Sequence, residues 1–400
     1  MSLNNTPSSE RIHIAFFGKR NAGKSSLVNA VTSQEVSVVS DIKGTTTDPV
    51  FKSMELLPAG PVMIIDTPGF DDEGELGKLR IKKTEQILEK TDIAVLVTDT
   101  ASGETEDTLR KLFSKRNIPF ITAYSKSDLH DVCTENINND CNSICVSART
   151  GENISTLREL IAQLASDNKP DKKILGDIVK PGDSVVLVIP IDEAAPKGRL
   201  ILPQQMVIRE LLESGVSVSA VQPSALKETL DNFKKPPALV ITDSQAFGKV
   251  AEAIPDSIML TSFSILMANY KGILTQAVRS LKALDTLNEN DRVLISEGCT
   301  HHRQCGDIGS VKLPALIEKY TGIKPVYEFT SGTGFPDDLS SYKIIIHCGG
   351  CMLNEREILR RSRLAEKNDI PFTNYGTAIS YMNGILKRTI NIFPELCSYF

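Results

Sequence analysis

The sequence has no run of about 18 apolar residues able to span a bilayer. Its first stretch, "MSLNNTPSSERIHIAFFG", lacks the charged start and long apolar segment of a secretory leader. It also lacks an excess of positive charge: the formal net charge of −5 argues against the net-basic face that neutralises nucleic-acid phosphates or binds an anionic membrane. Thiols and imidazoles are scarce, with eight cysteines and five histidines in 400 residues. Cysteines that sparse do not make a disulfide framework, and where they cluster they point to metal or redox chemistry. No internal repeat or low-complexity tract appears. The expectation is a soluble, cytoplasmic protein with neither a membrane nor a nucleic-acid partner.

With 41% apolar and 24% charged residues the composition is that of an ordinary globular chain, and its length accommodates two or three domains. Residues 11–165 alternate β-rich runs ("IHIAFFG", "VMIIDTPG", "IAVLVTD", "PFITAYSK", "SICVSAR") with helical stretches, the pattern of an α/β sheet covered on both faces. A polar, lysine-rich segment at 165–184 reads as a linker. A second, smaller α/β unit follows. It begins with "SVVLVIPID", which suits edge-to-edge pairing but equally fits an internal strand. A third begins near 266. The expected domains are therefore 9–168, 177–265 and 266–400.

"GKRNAGKSS", residues 18–26, fits G-x-x-x-x-G-K-[ST] between a strand and a helix, the context that motif requires. Gly18, Asn21, Ala22, Gly23 and Ser26 frame a loop whose N–H groups can close on phosphate oxygens. Lys24 brings charge to the outer phosphates and Ser25 can hold Mg²⁺. "GTTTD" at 44–48 adds hydroxyls for the metal and terminal phosphate, Thr46 first and Thr45 as the fallback. "DTPG" at 66–69 places Asp66 to hold the metal through water and Gly69 to offer its N–H to the γ-phosphate. "SKSD" at 125–128 offers Lys126 to a purine face and Asp128 to guanine, and Ser147 and Ala148 of "SAR" complete the base pocket. Lys24, Thr46 and Gly69 are the expected catalytic set for GTP hydrolysis to GDP.

These motifs resemble the translation-factor-like GTPases, particularly the branch containing the tRNA-modifying MnmE and the ribosome-assembly Era. Asn21 matches an asparagine that helps hold K⁺ in potassium-activated members of that branch; otherwise it only shapes the loop. Two departures stand out. Phe70 occupies the position of a water-orienting glutamine, so hydrolysis unaided is expected to be slow, with Asp71, Asp72 and Glu73 either orienting water or forming a solvated loop. Ser125 stands where the guanine-reading motif usually has asparagine.

The remaining chemistry lies in "GCTHHRQC" at 298–305 and "HCGGC" at 347–351, each directly after an apolar strand. They hold four of the eight cysteines and three of the five histidines. Thiolates suit iron–sulfur clusters, Zn²⁺ or Cu(I), and Cys348 and Cys351 can reach one centre from a C-x-x-C loop bent at Gly349 and Gly350. Cys299 and His301 form a C-x-H pair, separated by 45 residues from His347 and its two cysteines. Zinc fits this donor set as well as iron does. Cys305 and Cys397 read as thiols without a metal role, Cys133, Cys141 and Cys145 as small apolar fillers, and His302 receives no role.

A GTPase domain, a small middle domain and C-x-H…H-C-x-x-C together resemble the HydF family of [FeFe]-hydrogenase maturation GTPases over nearly the whole chain. The resemblance implies a [4Fe–4S] cluster on Cys299, Cys348 and Cys351, with His301 or His347 as a fourth ligand or lining the pocket. It further implies a transient di-iron subcluster as cargo, a homodimer made by the middle domain, the radical-SAM maturases HydE and HydG as partners, and apo-[FeFe]-hydrogenase as recipient. Two other readings remain: an iron- or redox-sensing GTPase acting on RNA or the ribosome, and a GTPase with a structural zinc domain.

Overall fold

A computed structural model describes residues 7–32, 49–70, 84–99, 103–129, 142–167, 172–191, 200–298, 307–332 and 334–399. The chain divides into two compact units at 170/171. In the first, β1 (Ile12–Phe17), β2 (Val50–Leu56), β3 (Gly60–Asp66), β4 (Ile93–Thr98), β5 (Phe120–Tyr124) and β6 (Ser143–Cys145) form one sheet in the order β2-β3-β1-β4-β5-β6. All neighbours are parallel except β2 and β3, an antiparallel pair. β4 is buried at every position, as a central parallel strand covered on both faces should be. Helices α1 (Lys24–Thr32) and α3 (Ile154–Asp167) pack in one core layer with Ile14, Val95 and Ile121. Helix α2 (Glu104–Lys115) sends Leu109 and Phe113 into the other layer with Phe17 and Leu96. The five strand-like runs read from the sequence are all strands here. β2, on the edge with alternating exposure, is the one the run pattern missed.

The second unit holds two four-stranded, all-parallel sheets. One has the order β10-β9-β7-β8, from β7 (Ser184–Val188), β8 (Ser217–Val221), β9 (Leu239–Thr242) and β10 (Met259–Ser262). The other has the order β12-β11-β13-β14, from β11 (Arg292–Glu297), β12 (Val326–Ser331), β13 (Tyr342–His347) and β14 (Phe372–Asn374). Of the two readings of "SVVLVIPID", the internal strand is correct: β7 lies between β9 and β8 and is buried along its last four residues. The edges are β10 and the more exposed β8.

Helix α4 (Leu202–Glu213) follows β7. Helix α5 (Phe263–Tyr270) is capped by Ser262, whose side chain accepts from Ile265 N. The expected boundary at 265/266 falls inside α5, whose buried residues join one continuous core running from Ile174 to Leu396. Helix α6 (Leu313–Thr321) ends at Gly322, which adopts φ 75°. Helix α7 (Glu355–Lys367) starts on the cap Asn354, with Glu355 and Glu357 in its first turn, where the helix dipole favours carboxylates. Helix α8 (Tyr375–Met382) starts on a capping box of Asn374 and Thr377.

Among the described residues no helix is long and apolar enough to cross a membrane. Ile295 is fully buried in the middle of β11, the strand that pairs with both β12 and β13. Truncation to alanine is expected to cost about 2–5 kcal/mol by loss of transfer energy and creation of a cavity. A lowered urea midpoint for the Ile295→Ala protein checks this.

Candidate functional site

β1 and β3 are paired with Phe16 opposite Asp66, so the loops leaving both strands emerge side by side. After Phe17 the chain turns through the loop at 18–23, and a Cβ at Gly18 would lie 2.1 Å from Val97 O, so only glycine allows that approach to β4. Asn21 takes φ 61° and Gly23 φ 86°, left-handed conformations that turn the loop into α1. Lys24 is buried and donates to Gly18 O at 3.0 Å and Lys19 O at 2.6 Å, closing the loop on its own carbonyls. Ser25 Oγ donates to Asp66 Oδ2 at 2.6 Å. Asp66 Oδ1 is buried without a hydrogen-bond partner. Burial raises the Asp66 pKa above the ordinary aspartate value, opposed by the Ser25 hydrogen bond and by the charges of Lys24 and Lys52. An orphaned carboxylate oxygen beside a serine hydroxyl fits the water shell of Mg²⁺. Gly69 packs against Arg20, and Phe70 N donates to Gly18 O at 3.3 Å, laying the "DTPG" loop across the phosphate loop. Thr45, Thr46 and residues 71–73 lie outside the described residues.

The residues expected to read the base converge at the ends of β4, β5 and β6. Ser125 Oγ donates to Ala22 O at 2.6 Å and lies 3.2 Å from Thr98 O, so the serine ties the base-reading loop to the phosphate loop. Lys126, at φ 60°, pairs with Asp99 at 2.6 Å. Asp128 Oδ1 accepts from Ser147 Oγ at 2.7 Å, and Ser147 in turn receives Thr150 N at 3.2 Å. Ala148 follows Ser147 in the same loop and is half-buried; Ser26, in the first turn of α1, is half-buried too. Cys145 is buried, as the filler reading expected, and is also disulfide-bonded; Cys133 and Cys141 lie outside the described residues.

In the last sheet, β11 and β13 are paired with Ser296 opposite His347, so their following loops also emerge together. Cys348 N donates to Ser296 O at 2.9 Å. Cys348 Sγ receives the N–H of Gly298 at 3.0 Å and of Gly350 at 3.3 Å. Cys348 and Cys351 carry reduced thiols. Gly350 has φ 65°, and a Cβ there would come within 2.5 Å of Ile358 Cδ1. Two backbone donors on one sulfur suit a metal-bound sulfur. Cys299, His301, His302 and Cys305 lie outside the described residues, as does the side chain of Cys397. Among the described residues no group of three or more histidine, cysteine or acidic side chains is set to hold a metal.

His347 is fully buried. Its Nδ1 lies 2.7 Å from Cys348 O and its Nε2 lies 3.0 Å from Arg361 Nη1. A carbonyl can only accept and a guanidinium only donate, which fixes the proton on Nδ1 and leaves the ring neutral. Burial first, and then the Arg361 charge, push its pKa down to about 3. Both nitrogens are thus engaged with protein, an arrangement that favours pocket lining over ligation.

Motif reading missed Glu297, Glu357, Arg361 and Tyr375. Glu297 ends β11 and accepts from Tyr375 OH at 3.3 Å. The Tyr375 pKa is raised well above the ordinary value by burial and then by Cys348 and Glu297. Glu357 and Arg361, four apart on α7, form a buried pair at 2.8 Å. The signal was there in a helix whose i, i+4 charges cannot all face water, but a surface pair has the same spacing.

The strand–loop–helix arrangement with Lys24, Ser25 and Asp66 defines a P-loop GTPase fold that binds guanine nucleotide and Mg²⁺. Residues 13–126 match the 50S ribosome-binding GTPase domain, 174–272 the hydrogen maturase F dimerization domain, and 275–392 the hydrogen maturase F tetramerization domain. The chain belongs to the hydrogen maturase F family. It is 34% identical over 159 residues to the tRNA modification GTPase MnmE of Legionella pneumophila, covering 39% of this chain and 35% of that one. To GTPase Der of Wolinella succinogenes it is 33% identical over 168 residues, covering 38% and 36%. The chain thus spans about a third of the length of these curated relatives. Era of Aquifex aeolicus bound to GDP·AlF4⁻ aligns at 19% identity and TM-score 0.35, over 52% of this chain and 92% of that one. The tetramerization match adds a level of assembly to the homodimer expected from the sequence.

Ser125→Ala leaves the buried Ala22 carbonyl without its donor, a loss of about 1–3 kcal/mol. GDP affinity measured by fluorescence titration is expected to fall about tenfold while the fold is retained. His347 predicts a pH effect on the metal-free protein. Unfolded, the imidazole takes a proton near its ordinary 6.5; folded, only near 3. Between those values the unfolded state holds more protons, so stability rises with pH through this window and falls on acidification. The slope is on the order of 1 kcal/mol per pH unit. Denaturant titrations at several pH values should show it, and His347→Gln should flatten it.

Proposed function

We propose that this protein is a GTP-hydrolysing scaffold and carrier in hydrogenase maturation, with GTP turned over in residues 9–168 and a [4Fe–4S] cluster held in residues 266–400. Cys299, Cys348 and Cys351 are the cluster ligands. The observation that carries the reading is Cys348 Sγ under the N–H groups of Gly298 and Gly350, with Gly298 directly preceding Cys299 in the chain. Three thiolates leave one iron exchangeable, which suits a site that takes up and hands on the di-iron subcluster of [FeFe]-hydrogenase. HydE and HydG are its maturation partners and apo-hydrogenase its recipient. Residues 177–265 make the homodimer, with β8 as the more exposed sheet edge. Membership of the hydrogen maturase F family supports this reading over RNA-directed regulation.

In the GTPase unit Lys24 neutralises the outer phosphates, Ser25 and Asp66 hold Mg²⁺, and Gly69 N–H meets the γ-phosphate, while Thr46 completes the metal shell. Binding must draw Lys24 off the Gly18 and Lys19 carbonyls and Ser25 off Asp66, exchanging intraprotein hydrogen bonds for ligand ones. Lys126 and Asp128 read the base. Asn21, with its left-handed backbone at the head of the loop, holds K⁺ and makes turnover faster in K⁺ than in Na⁺.

Anaerobic iron and sulfide reconstitution followed by EPR of the reduced protein tests the cluster. A cubane signal that shifts with added cyanide and vanishes in Cys348→Ala is expected, whereas stoichiometric zinc without that signal would make the site structural. Lys24→Ala should abolish GTP hydrolysis and leave iron content unchanged, because the two sites belong to different folding units. Iron loss from a folded Lys24→Ala protein sinks that separation.

A further inference from the structure

Glu106 lies in the first turn of α2 and is buried, with 1% of its surface exposed. Its Oε2 lies 3.0 Å from Lys19 Nζ, and its Oε1 accepts from Thr98 Oγ1 at 3.4 Å. Lys19 directly follows Gly18 in the phosphate loop, and its carbonyl is one of the two that receive Lys24 Nζ. One residue thus meets the phosphate-binding lysine with its backbone and α2 with its side chain. Gly103, the residue before α2, closes over the pair: a Cβ there would lie 2.5 Å from Glu106 Oε2 and 2.6 Å from Lys19 Nζ. Its φ of −163° is ordinary extended backbone, so space and not conformation calls for glycine here.

A carboxylate at a helix start is often explained by the helix dipole. Glu104 and Asp107 stand in the same turn, are exposed, and serve that end without being buried. Glu106 instead turns inward, and a buried carboxylate is costly unless it is paired and hydrogen-bonded. Its pairing goes to the phosphate loop. On the other side, α2 is fixed by Leu109 and Phe113 in the core.

We propose that Glu106 is a positioning residue of the nucleotide site, anchoring the first limb of the phosphate loop to α2 through Lys19 and holding it in the shape that receives GDP and GTP. In the free protein Lys24 closes the loop by donating to Gly18 O and Lys19 O, bonds that are given up when it turns to phosphate. The Lys19–Glu106 pair does not use Lys24, so it holds the limb that Lys24 releases. A loop kept in its binding shape costs less to order around a ligand, and the pair thereby raises affinity without touching the nucleotide. The inference rests on the guanine-nucleotide site and is independent of the cluster reading.

The test is fluorescence titration of the full-length protein with labelled GDP and a labelled non-hydrolysable GTP analogue. Lys19→Met and Glu106→Gln should each raise both Kd values about tenfold. The two nucleotides should lose alike, because the loop surrounds phosphates they share, and in turnover the loss should fall more on KM than on kcat. The double variant should bind no more weakly than the poorer single one, since either change alone breaks the pair. Gly103→Ala keeps both charges but displaces their ends, and should raise both Kd values as well. Equal losses on both nucleotides with a non-additive double variant support the proposal. Lowered urea midpoints with unchanged affinities, a loss confined to one nucleotide, or effects that add in the double variant overturn it. Should Lys19→Met fail to fold, Glu106→Gln and Gly103→Ala decide the matter: raised Kd values in both support the proposal, and unchanged values in either overturn it. Wild-type protein that binds neither nucleotide refutes the nucleotide site itself, and the inference with it.

Discussion

Parallel strand pairing is the constraint on which both sites depend. In a parallel sheet every strand ends on the same edge, so the loops that follow adjacent strands must meet there. Phe16 opposite Asp66 brings the loop at 18–23 to Asp66; Ser296 opposite His347 brings the segment before Cys299 to Cys348. A one-residue slip in either pairing would turn the delivered side chains to the other face. The buried apolar runs of β1 and β13 protect that register, because they leave few competing alignments with all side chains inside.

The two sites are finished differently. In the nucleotide site the polar groups satisfy one another, with Lys24 on loop carbonyls, Ser25 on Asp66 and Ser147 on Asp128, so a ligand must replace bonds already made. One Asp66 oxygen is left without a hydrogen bond, and a cation with its water would supply what it lacks. In the thiol site the donors already converge on Cys348 Sγ, while a buried ion network stands behind it. The first site is arranged for exchange, the second for retention.

The sequence made the architecture legible because β1, β3, β4, β5, β6, β11 and β13 are mostly buried strands in parallel pairs, which read as apolar runs. β2 escaped because an edge strand in an antiparallel pair carries "VFKSMEL", half polar by position. The motif residues were legible too, since glycine, lysine and cysteine at fixed spacing have few other uses. What could not be read was what lies behind them. Arg361 sits 14 residues after His347 on the next helix, and nothing in "EREILRRSRLAEK" says which of its four arginines faces inward.

Ser125 shows how a departure from a motif becomes intelligible only in three dimensions. An asparagine is the usual residue at this position, and a serine is shorter by an amide group. Here its hydroxyl reaches Ala22 O at 2.6 Å, with Gly23 packed alongside it. The bridge between the base-reading loop and the phosphate loop is therefore made by close approach of the backbones instead of by side-chain length. That geometry joins the loop carrying Lys126 and Asp128 to the loop preceding Lys24 through one hydrogen bond.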